Sequence, residues 1–199
     1  MPEAASAAPG GLRLTCRPGK SGNTLTFPYT LENQGTVDIY AMHALPSFDP
    51  ETGEASAKEF AAIVIGGESD AIVGRFAAPL PTDRRVAIPV LPLAQFLPAG
   101  SRLEGELQVP LPLAETTPYY ADLTLRQYEM IDIAGIIFTI GYWRADAVGL
   151  AAREADFAPG LFVVITRNTL GSALRISQRF PTTGLQLFRR KDAFTRLLP

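Results

Sequence analysis

Hydrophobic and polar residues alternate most cleanly between Asn23 and Leu45. Leu25, Phe27, Tyr29 and Leu31 fall on one face, and Thr24, Thr26, Thr30 and Glu32 fall on the other. That period of two predicts a half-buried β-strand. After Asn33-Gln34-Gly35, a turn signal, Val37, Ile39, Ala41, His43 and Leu45 share the next face and predict a second strand.

The same reading extends along the chain. Leu12–Cys16 is a short strand, and Phe60–Ile65 with Ala71–Phe76 reads as a hairpin across Gly66–Asp70. Eight prolines between Pro79 and Pro118 confine strands there to edges or abrupt segments, because proline supplies no ladder donor. Arg85–Leu91 and Arg102–Val109 are the strands expected under that limit. The Pro89-x-x-Pro92 spacing sits among apolar neighbours and reads as an edge segment. Tyr120–Glu129 alternates again, and the nearly all-apolar Ile133–Trp143 predicts a central strand covered on both faces. Leu161–Thr166, Ala173–Phe180 and Leu185–Phe188 complete the set, the last two separated by Pro181–Gly184. Residues 146–156, with their Ala, Leu, Arg and Glu, predict a short helical insertion stopped by Phe157–Gly160.

Strands recurring at this spacing without alternating helices indicate an all-β antiparallel sandwich. The expected organisation is a disordered lead-in over 1–11, a β-sandwich domain over 12–188 and a basic tail over 189–199. The opening strand, its Leu31-Glu32-Asn33 end and the Gly-containing link to the next apolar strand resemble immunoglobulin-like β-sandwich domains. The resemblance covers about a tenth of the chain and implies a fold, with no functional residue attached. The Cys…Trp…Cys spacing of antibody-type domains is missing.

Composition sharpens this picture. The 199 residues are 47% hydrophobic and 19% charged, a greasy globular balance that leaves apolar surface for an interface. A single cysteine, Cys16, excludes an intrachain disulfide and fits a reducing, cytoplasmic compartment. The N-terminus lacks the basic and apolar regions of a secretory leader, although a leader already removed would look the same. No apolar run is long enough for a membrane-spanning helix. Charge is segregated: residues 161–199 carry seven basic groups against Asp192, while the first 160 carry eleven basic and nineteen acidic. With a pI near 5.5, nucleic acid is a disfavoured partner.

Candidate chemistry is sparse. His43 is the only histidine, and pairing it with Cys16 as a nucleophilic dyad is a weaker reading than a half-buried histidine and a buried thiol. Asp49, Glu51 and Glu54 share one loop but lack the spacing of a calcium loop. Gly10-Gly11 and Gly66-Gly67 lack the Lys-Ser/Thr and helix of a phosphate loop. No catalytic residue, metal site or cofactor is therefore expected. The leading expectation is a non-catalytic module that binds a protein partner or itself through an edge strand or the loop at 46–57. Its contact residues would be Phe48, Asp49, Glu51 and Glu54, with Arg175, Arg179, Arg189 and Arg190 from the basic end. The alternative is a small-ligand or carbohydrate binder, or an enzyme, with a cleft lined by Tyr119, Tyr120, Tyr142 and Trp143.

Overall fold

The computed structural model describes residues 6–8, 10–81, 85–120, 128–166 and 171–191. The expected strand over 120–129 lies largely outside them, as does the tail beyond Lys191. Fifteen strands occupy the described residues, and none of these residues is helical. No helix among them is long and apolar enough to cross a membrane.

The first sheet is built on β4 (Thr24–Asn33). On one side β4 pairs with β2 (Leu12–Cys16) and then with β3 (Gly19–Ser21). On the other it pairs over nine residues with β10 (Arg102–Pro110), and β1 (Ser6–Ala8) lies outside β2. Ser6–Ala8, within the segment read as a lead-in, thus forms a strand. Pro28 stands opposite the break between β2 and β3, where the ladder needs no donor from it.

The second sheet is built on β12 (Tyr128–Arg144), seventeen residues long and paired antiparallel to β15 (Leu174–Arg190) along most of its length. Its other edge is shared by two partners. β8 (Asp70–Arg75) runs parallel to residues 135–140, and β5 (Ile39–Phe48) runs antiparallel to residues 142–144. β8 continues to β7 (Ile63–Gly66), the expected hairpin, while β5 leads through β9 (Leu93–Leu97) to β14 (Ala158–Ile165) and β13 (Ala151–Ala155). β6 (Ala55–Lys58) pairs with the far half of β5, and β11 (Leu113–Ala114) edges β15.

The main core fills the space between the sheets. Leu14, Phe27, Leu31 and Leu107 of the first meet Val73, Phe138, Ile140 and Ile176 of the second. Phe27 and Phe138 stack with centroids 5.6 Å apart. The result is a sandwich-like all-β fold.

Three local expectations are corrected. The helical insertion at 146–156 is absent: Ala151–Ala155 is β13, and a two-residue turn returns it along β14. A helix between Gly149 and Pro159 would span barely two turns, too short to hold without packing, whereas the apolar Leu161–Ile165 offers a strand partner. Arg85–Leu91 forms no strand, and Ile88 is 81% exposed. Regular pairing starts only past Pro92, at β9. Pro181–Gly184 interrupts no strand either; β15 runs through it, and the irregularity opposite Ile133–Gly135 absorbs the extra residues.

Residues 34–38 carry the chain from the first sheet to the second, so the two opening strands do not pair with each other. Asn33 pins this crossover. Its amide donates to the carbonyls of Val37 (2.9 Å) and Leu97 (3.2 Å), and its side-chain oxygen accepts from Gly35 N–H.

Candidate functional site

β5 is two strands in one. Ile39–Met42 is buried in the second sheet, whereas Leu45–Phe48 leaves that sheet and pairs only with β6, from Leu45 opposite Lys58 to Phe48 opposite Ala55. The change occurs at His43, the extra residue of a bulge that puts Met42 opposite Ala94 and Ala44 opposite Leu93. A bulge bends its strand and strengthens the local twist, which sends the rest of β5 away from the body. The bulge also resets the alternation: Ala41, Met42 and Ala44 are all fully buried. The simple phase that placed His43 on one face with Ile39, Ala41 and Leu45 is thereby broken.

The hairpin tip is Asp49–Glu54. Asp49 N–H donates to the Glu54 carbonyl, and Gly53 N–H donates to the Asp49 carbonyl, both at 2.9 Å. The Asp49 carboxylate accepts from the N–H groups of Glu51 (2.8 Å) and Thr52 (3.2 Å), and these bonds hold it below the usual carboxylate range. Gly53 closes the turn at φ +74°. Asp49 therefore builds the turn, while Glu51 and Glu54 are exposed on it. Phe48, 67% exposed, stands at the base of the tip, and β6 has no second strand partner among the described residues.

Under the root of this hairpin lies a polar group that composition did not single out. Arg75, fully buried at the end of β8, donates to the Tyr29 hydroxyl (3.1 Å), the Glu106 carbonyl (3.1 Å) and the Ala61 carbonyl (3.4 Å). It thereby ties the second sheet to β10, whose Gln108 N–H donates to the Phe60 carbonyl. An arginine inside the otherwise apolar Ala71–Phe76 run was the available signal for it. Burial, and then the Arg75 charge, push His43 down to about 4 against a weaker opposing pull from Glu59; its Nδ1 is buried without a hydrogen-bond partner among the described residues. Burial pushes the Cys16 thiol up to about 12. A protonated thiol and an unprotonated imidazole of such low basicity are a poor nucleophile and base at neutral pH.

The arginines of the basic end have partners within the chain. Arg179 grips Asp70 through two hydrogen bonds of 2.8 and 2.9 Å, and Arg189 pairs with Glu129 and donates to the Gly67 carbonyl. The Arg190 guanidinium stacks 3.8 Å from the Tyr120 ring centroid. Arg175 donates to the Ala77 carbonyl and lies over Phe76, while Ser177, between Arg175 and Arg179, bonds to Thr139. The hairpin residues and these arginines do not form one surface patch through any contact among the described residues.

The four aromatic residues do not form one cleft either. Tyr142 and Trp143 are neighbours on β12 and face opposite sides: Tyr142 enters the main core and Trp143 a second one around Met42, Phe76 and Val164. Tyr119 packs against that second core and accepts from Val90 N–H. Tyr120 is covered by Arg190.

No family model, curated protein or solved structure matches the chain.

Proposed function

We propose that this chain is a β-sandwich interaction module that presents the β5–β6 hairpin to a protein partner. One observation carries the reading. A two-stranded ribbon leaves the sheet at the His43 bulge, with an unpaired β6 edge and the exposed Phe48 ring beside its tip. An open edge of small residues, Ala55, Ser56 and Ala57, offers backbone donors and acceptors to an added strand, and an aromatic beside it supplies an anchor. The body fits the role of a rigid scaffold: its opening strands change sheet at a Gly-containing link, as consecutive strands B and C do in immunoglobulin-like sandwiches.

The test is affinity capture with the intact chain, using Phe48→Asp as the control. Phe48 is outside the core, so the variant should fold and melt as the parent does. Proteins retained by the parent and lost by Phe48→Asp support the hairpin as the contact. An identical set retained by both, with no change in self-association on sedimentation, sinks it.

A further inference from the structure

At the end of the sandwich where β4 passes to β5, the sheets leave a cleft of about 290 Å³. Leu12 from the first sheet and Ile39 and Leu174 from the second form its apolar walls, with Val37 of the crossover. Tyr142 and Arg144, two residues apart on β12, project on one side of that strand, where Tyr142 lies opposite Ala41 and Arg144 opposite Ile39. Two features distinguish this cleft from a packing gap.

The first is Tyr142. Only 5% exposed, it lines the cleft, and its hydroxyl makes no hydrogen bond among the described residues. The ring is packed in the core while the hydroxyl stays open to the cleft, where it is a donor and acceptor that a ligand can use. The second is charge. The lining residues include two guanidinium groups and no carboxylate. Asp146 neutralises Arg144 from outside the lining, taking Nε and one Nη through bonds of 2.9 and 2.8 Å, which leaves the other Nη available. Arg175 turns its own guanidinium to Ala77 and Phe76 and adds positive charge behind the wall, with no carboxylate partner among the described residues.

We infer that this cleft binds a compact amphipathic monocarboxylate, its tail between Leu12, Val37, Ile39 and Leu174 and its carboxylate between the Tyr142 hydroxyl and Arg144. At the roughly 30 Å³ that a water molecule occupies in the liquid, the cleft holds about ten non-hydrogen atoms. That matches a carboxylate with a seven-carbon tail. The site is separate from the hairpin and stands or falls independently of it.

Octanoate, with octan-1-ol as the uncharged control, tests the proposal by isothermal titration of the intact chain. Octanoate binds one to one, and octanol binds at least tenfold more weakly. Tyr142→Phe, which removes only the hydroxyl, weakens octanoate about tenfold. Leu174→Trp, at a position 44% exposed at the cleft's mouth, fills the site and abolishes binding. Asp146→Asn leaves Arg144 unneutralised and tightens octanoate about threefold, the opposite of what loss of a structural ion pair would do. No heat with octanoate, equal affinity for octanol, or weaker binding by Asp146→Asn overturns the inference. If Leu174→Trp does not fold, Tyr142→Phe and Asp146→Asn decide it.

Discussion

The Tyr29 hydroxyl on the first sheet accepts a 3.1 Å hydrogen bond from Arg75 on the second, within the main core between the sheets. This bond is one of three that satisfy a guanidinium with no access to water, and none of the three acceptors is a carboxylate. The charge is held by dipoles. Arg75 also raises the free energy of protonating His43, so one buried cation sets the electrostatics beneath the hairpin.

Tyr29→Phe keeps the ring and its packing against Phe138 but leaves an Arg75 N–H unpaired in the core. The expected loss is about 1–3 kcal/mol in urea unfolding, with an unchanged denaturant slope. A change below the error of the midpoint would mean that the hydroxyl contributes nothing to holding the sheets together.

His43 predicts the acid side of the stability curve. Its ordinary value of 6.5 falls to about 4 on folding, so between those pH values the unfolded chain binds a proton that the folded chain refuses. Stability contributed by the neutral imidazole is complete above pH 6.5 and is lost as the pH falls toward 4, by roughly 2–3 kcal/mol. The stability difference between the parent and His43→Gln, followed by chemical denaturation from pH 7 to pH 4, should change by that amount. A pH-independent difference would contradict it.

Gly74 lies opposite Thr139 in the parallel β8–β12 pair, and a Cβ built on it overlaps the Thr139 carbonyl. The obstruction is backbone, which no rotamer change can relieve. Gly74→Ala should therefore cost at least about 3 kcal/mol, visible as a lowered melting temperature. A Gly22→Ala control, with open space around the Cβ but φ +56°, should cost less.

Particular residues show where the sequence was readable. The alternation of Phe27, Tyr29 and Leu31 reports directly which side chains face the core, because a strand's side-chain period is two whatever it packs against. The apolar run at 133–143 likewise marks a strand covered on both faces, and β12 is paired along both edges. His43 was unreadable: a bulge is a mismatch between two strands, and its position depends on β9, fifty residues away. The 151–155 segment was misread because its alanines favour a helix only until a partner strand is available.

The sequence by itself determined that this protein is built of strands, that it carries no intrachain disulfide, and that residues around 46–57 leave the apolar pattern. Each of these is a property of neighbouring residues or of composition. Only the tertiary structure decided that the two opening strands belong to different sheets, and that the basic arginines of β15 meet Asp70, Glu129 and Tyr120. It also separated Tyr142 from Trp143 and set Tyr142 beside Leu12 and Arg144 in a cleft. The arginine contacts of β15 reach across 60 positions from Arg189 to Glu129 and 109 from Arg179 to Asp70, and local periodicity carries no information about which strands become neighbours.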